Sequence, residues 1–101
     1  MLEAKSAIEN KKAVINLKGR ADTVSSECVY EEFEKCAEKG CTEFEFDLSE
    51  VEYICSATLR AFLKAQKYCN KNNFEMCITG ASEGVKDVFE ITSFSSIINI
   101  I

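Results

Sequence analysis

Phe44-Glu45-Phe46-Asp47-Leu48-Ser49, followed by Val51-Glu52-Tyr53-Ile54-Cys55-Ser56-Ala57-Thr58-Leu59-Arg60, decides how this chain folds. In the first part Phe44, Phe46 and Leu48 alternate with Glu45 and Asp47, the period of a strand with one face in the core and the other toward water. From Ser56 the period changes. Leu59, Phe62, Leu63 and Cys69 fall on one helical face, while Arg60, Lys64, Lys67 and Lys71 fall on another. A strand is therefore expected to feed a loop that delivers Ser56 and Thr58 to the start of a helix of about residues 56–70. The first amides of a helix are unpaired and its dipole favours negative charge there. A hydroxyl at this place can cap the helix, or it can carry a phosphate held by those amides.

Outward from that stretch the same two periods recur. Leu2, Ala4, Ser6 and Ile8 alternate with Glu3, Lys5, Ala7 and Glu9, which predicts a half-buried edge strand. Asn10-Lys11-Lys12 turns the chain into a second strand, in which Ala13, Ile15 and Leu17 face inward, and the short connection makes the two an antiparallel hairpin. Gly19-Arg20-Ala21-Asp22 reads as a loop. Asp22, Thr23, Ser25 and Ser26 offer caps for a helix with Val29, Phe33, Cys36 and Ala37 inside, closed by Gly40. Phe74, Met76 and Ile78 mark a further strand. Ser82 can cap a last helix with Val85, Val88, Phe89 and Thr92 on its inner face, and Ile97 to Ile101 form a terminal strand or clip. Strands separated by single helices pair in parallel. Because these strands alternate rather than run solidly apolar, the expected fold is a single α/β domain over residues 1–101. It is a mixed sheet of four to five strands with about three helices mainly on one face.

Composition limits the function classes. With 101 residues, 47% of them hydrophobic and 29% charged, there is one globular core and no apolar run long enough for a membrane helix. The start of the chain lacks the pattern of a signal peptide, so a cytoplasmic location is expected. A net charge of −5 argues against nucleic acid and anionic membranes as partners. The basic residues Arg60, Lys64, Lys67 and Lys71 follow a helix rich in Glu27, Glu31, Glu32, Glu34 and Glu38. These are either two solvated faces or a basic stripe that meets an acidic protein. The six cysteines have no metal-ligand spacing and no histidine beside them, so they read as small core residues in a reducing compartment. No cofactor, no metal and no catalytic constellation is expected, and the chain reads as a binding module rather than an enzyme. A cysteine-dependent redox or metal-binding role is the alternative.

Phe46-Asp47-Leu48-Ser49 with Val51, Tyr53, Ile54, Ser56 and Leu59 resembles the STAS domains, the family of bacterial anti-sigma factor antagonists and of sulfate-transporter tails. Gly19 to Asp22 is similar to the loop before that family's first helix, and Ser82 to Thr92 to its last helix. The resemblance implies a regulatory protein-protein interaction module whose partner is an anti-sigma factor with kinase activity. In the switching antagonists the strand ends in Asp-Ser-Ser/Thr-Gly-Leu, which stands here as Cys55-Ser56-Ala57-Thr58-Leu59. Ser56 and Thr58 are then the candidate phosphoacceptors of a degenerate switch, and Arg20, Asp22, Ser56, Thr58, Arg60 and Lys64 the candidate partner-binding residues. A phosphate at either hydroxyl is expected to leave the chain folded.

Overall fold

The computed structural model describes residues 2–21 and 26–101. Strand β1 (Leu2–Glu9) turns into β2 (Lys12–Ala21) through Asn10 and Lys11, whose φ values of 50° and 67° make the two-residue turn that suits the twist of a hairpin. Then follow α1 (Glu27–Glu38), β3 (Glu43–Ile54), α2 (Ser56–Asn72), β4 (Glu75–Thr79) and α3 (Glu83–Ile91). A short 3₁₀ turn, Phe94–Ser96, leads to β5 (Asn99–Ile100). The sheet order is β1-β2-β3-β4-β5, with β1 antiparallel to β2 and the later pairs parallel.

All three helices lie on one face. Ala13, Ile15 and Leu17 of β2, Phe44, Phe46 and Leu48 of β3, and Met76 and Ile78 of β4 are buried beneath them. A row of rings ties the layers together: Phe33 of α1 meets Phe44 at 4.5 Å, Phe46 meets Phe62 of α2 edge-on at 5.1 Å, and Phe62 meets Phe89 of α3 at 6.1 Å. Such pairs add to area burial, and truncating a central ring such as Phe62 to alanine costs about 3–5 kcal/mol. The opposite face is polar. Glu45 and Asp47 are half-buried and Glu75 is exposed, and the cover comes from neighbouring strands. Lys12 pairs with Glu45 at 3.3 Å, Thr79 donates to Glu45 at 3.1 Å, and Asn16 donates to Asp47 at 3.2 Å. The one-sided mixed sheet expected from strand alternation is the fold observed.

Several local expectations are corrected. Gly19 to Ala21 belong to β2 rather than to a loop, and Val51 to Ile54 belong to β3. Lys18 pairs with Glu50 where Asn16 pairs with Asp47, and Arg20 with Tyr53 where Gly19 pairs with Val51. Both irregularities thus put an extra residue into β3, and bulges of this kind bend a strand without ending it. In β1 burial stops early, since α1 reaches Leu2 and Ala4 but leaves Ser6 and Ile8 exposed. Thr92 is not on an inner face: it is exposed at the end of α3, where its hydroxyl donates to the carbonyl of Val88 at 2.7 Å. Helix α1 closes as expected, with Gly40 at φ 92° and the amides of Gly40 and Cys41 bonded to the carbonyls of Ala37 and Cys36.

Candidate functional site

The parallel strands β2, β3 and β4 all run toward the end of the sheet where the helices begin, the place at which α/β proteins build sites. No loop separates β3 from α2. Ile54 ends the strand, Cys55 stands at the N-cap with extended backbone (φ −116°, ψ 177°), and Ser56 is already in the helix. The expected connecting loop is therefore one residue.

This corner contains a closed polar triangle. The hydroxyls of Ser26 and Thr58 lie 2.7 Å apart, and the Cys55 sulfur is 3.7 Å from Ser26 and 3.6 Å from Thr58. Ser26 precedes α1 but does not cap it, because its backbone is helical (φ −65°, ψ −21°) and its hydroxyl is turned sideways to α2. Ser26 and Thr58 are buried, with 2% and 0% of their surface exposed, and hydroxyls so buried need partners. Burial pushes the Cys55 thiol up. The Thr58 amide and hydroxyl, the Ser26 hydroxyl and the Ala57 amide outweigh that by favouring the thiolate, and they hold it down at about 7. Cys69, buried in α2 without such donors, is pushed up to about 11.

Of the sequence-predicted residues, Ser56 is exposed on the first turn of α2, where no acid opposes a negative group. Arg60 stands one turn further along the same face, and it too is exposed. Thr58 points the other way, into the interior, so its hydroxyl is closed to a second protein and the expectation that it can take a phosphate without harm fails on burial. Arg20 and Tyr53 are paired across β2 and β3, and the guanidinium lies over the ring at 5.2 Å from its centroid. Asp22, with the candidate caps Thr23 and Ser25, lies outside the described residues. Lys64 is exposed and stacks its ammonium over the Tyr30 ring at 4.3 Å. Together with Arg60 it lines a groove of about 500 Å3 between α1 and α2, opposite Glu27, Glu31 and Glu34. The basic stripe thus has an acidic helix of its own chain beside it.

Sequence reasoning assigned Cys55 to core filling and missed the polar triangle. Its place directly before a helix start was the available signal. Among the described residues no group of three or more Cys, Asp or Glu could hold a metal ion, and all six cysteines are free. Among the described residues no helix is long and apolar enough to cross a membrane.

A family model described as the STAS domain matches residues 3–101. A search of curated proteins finds no match. Among solved structures, the chain is similar to the anti-sigma factor antagonist SpoIIAA in its unphosphorylated form, at 14% identity and a TM-score of 0.83 over 98% of this chain and 88% of that one. The phosphorylated form of SpoIIAA, from Bacillus, aligns at 13% identity with a TM-score of 0.75, covering 100% and 91%. An anti-sigma factor antagonist from Mycobacterium paratuberculosis aligns at 13% with a TM-score of 0.88, covering 99% and 85%. Likeness at these identities is likeness of fold.

Proposed function

The chain belongs to the STAS domain family, and from that premise we propose that it is a regulatory binding module of the anti-sigma factor antagonist type rather than an enzyme, working in the bacterial cytoplasm to control transcription. Its partner is an anti-sigma factor with kinase activity, which docks on the corner where β3 meets α2 and phosphorylates Ser56. The exposed hydroxyl of Ser56 on the first turn of α2 carries this reading. A phosphate there is favoured by the helix dipole and by Arg60 one turn on, so the modified chain stays folded while the partner meets new negative charge. Arg20, Arg60 and Lys64 supply exposed cations around the corner. Thr58 serves the same surface from beneath by fixing Cys55 and Ser26.

Isolation of the partner by pull-down from the source cell, followed by calorimetric titration, tests the proposal. Ser56→Asp is expected to weaken binding by about 1–3 kcal/mol. Unchanged binding, together with no phosphate on Ser56 by mass spectrometry of the cellular protein, overturns it. A cysteine-dependent redox role is the second reading, supported by the thiol of Cys55 held at about 7. Thiol titration of the native protein distinguishes the two: one fast thiol that controls partner binding favours the redox role, and binding indifferent to its modification favours the phosphate switch.

A further inference from the structure

The two edges of the sheet are unequal. At one side β5 is two residues long, whereas at the other β1 runs for eight with no strand beyond it among the described residues. Long unpaired edges are templates for pairing, and soluble proteins normally shorten, bend or cover them. Here α1 covers only the beginning of β1: Lys5 to Glu9 are exposed, and Ile8 keeps 41% of its surface in water.

We propose that this edge pairs with β1 of a second copy of the chain, antiparallel about a twofold axis through Ala7, so that two five-stranded sheets become one continuous sheet. The two-residue turn makes Glu9 and Lys12 a hydrogen-bonded pair, so Lys5, Ala7 and Glu9 direct their main-chain groups toward β2. Ser6 and Ile8 direct theirs outward. With Ala7 facing Ala7 of the copy, Ser6 of each chain exchanges both bonds with Ile8 of the other. On the open face this register sets Lys5 directly across from Glu9 twice, an opposite-charge pairing that stabilises a sheet. On the helix-facing side the two exposed Ile8 side chains become diagonal neighbours and leave water.

Other registers are worse. An axis through Ser6 sets Glu3 against Glu9, and an axis through Lys5 sets that lysine against itself. An axis through Ala4 would pair Glu3 with Lys5, but α1 packs there, with Cys28 donating to the carbonyl of Leu2 and Glu31 and Glu32 beside Cys28. Two acidic helices would then meet across the axis. The proposed contact lies at the end of the sheet away from Ser56, so it is independent of the partner-binding reading and both surfaces can be occupied at once.

Sedimentation velocity of the full chain over a concentration series tests this, with circular dichroism to confirm that each variant folds. The wild type is expected to dimerise, and Lys5→Glu and Glu9→Lys are each expected to raise the dissociation constant about tenfold or more. The double variant Lys5→Glu/Glu9→Lys restores the dimer with the charges exchanged. The two single variants, weak alone, associate when mixed, because one then carries acid at both positions and the other base. A wild type that stays monomeric to about 1 mM, single variants that dimerise normally, or a mixture that does not associate overturns the proposal. Restoration by Glu3→Lys/Lys5→Glu instead would move the axis to Ala4 and overturn the register.

Discussion

Replacing Ser56 and Thr58 by aspartate, one at a time, puts the same carboxylate at two places in the first turn of α2. At Ser56 the side chain is in water and the turn carries no acid. The positive end of the helix dipole then stabilises the new charge by about 0.3–1 kcal/mol. For a domain of this size one kcal/mol moves Tm by roughly 4–8 °C, so Ser56→Asp is expected to melt about 1–8 °C higher. At Thr58 none of the side chain is exposed, and the contacts of its hydroxyl to Ser26 at 2.7 Å and to the Cys55 sulfur at 3.6 Å would be disturbed. Burying an ionised carboxylate without a counter-charge costs about 3–5 kcal/mol, a large share of a typical total of 5–15 kcal/mol. Burial raises the folded pKa of that carboxyl above its unfolded value near 3.9, so the loss is greatest at pH 7 and shrinks as the pH falls toward 4. Urea unfolding followed by far-UV circular dichroism at pH 7 and pH 5 measures both. Thr58→Asp as stable as wild type at pH 7, or Ser56→Asp destabilised by more than about 1 kcal/mol, would refute the opposite placement of the two hydroxyls.

Cys55 is expected to alkylate faster than the buried Cys69, with a rate that rises through about pH 7, and Thr58→Val shifts that midpoint upward by removing the hydroxyl that holds the thiolate. Because the folded pKa of Cys55 lies below the 9.0 of an ordinary thiol in the unfolded chain, its contribution to stability is full above pH 9 and is lost as pH falls through about 7. The stability gap between wild type and Cys55→Ser should accordingly widen from pH 6 to pH 9 in parallel urea titrations. Gly80→Ala is expected to cost about 1–3 kcal/mol, read by thermal melting. A Cβ there would sit 2.8 Å from Asp47 and 3.0 Å from the Ser49 backbone nitrogen, at a φ of 69° that favours glycine. Ser82→Ala removes the hydroxyl that accepts from the Val85 amide at 3.3 Å and should destabilise the chain by about 1 kcal/mol, with α3 losing amide-exchange protection first.

Phe44, Phe46 and Leu48 announced their strand, and Val29, Phe33 and Cys36 their helix, because one period ran unbroken through each. The second half of β3 was illegible for the opposite reason. Two bulges shift the inward positions from Leu48 to Val51 and then Ile54, a spacing of three that imitates neither a regular strand nor a loop. Burial of β1 misled in another way: Ile8 has the period of an inward residue, yet nothing in its own segment reveals where α1 stops. Ser56 was correctly placed at a helix start by local pattern alone. The triangle joins Ser26 to Cys55 and Thr58 about thirty positions away; the place of Cys55 before a helix start points to its thiol, but not to the contact between two helix starts.

The strand order, identical to the order of synthesis, bears on how the chain reaches its fold. Each new strand is laid beside the one made just before it: Ile15 meets Phe46, Phe46 meets Ile78, and Ile78 meets Ile100. No strand has to be inserted between two already paired, and no pairing waits for more than one helical crossover to emerge. Loop closure therefore stays short at every step, which favours quick folding for a sheet that is mostly parallel. On a ribosome the hairpin of β1 and β2 can offer its free side to β3 while α2 is still being made, and exposed apolar edges are covered as they appear.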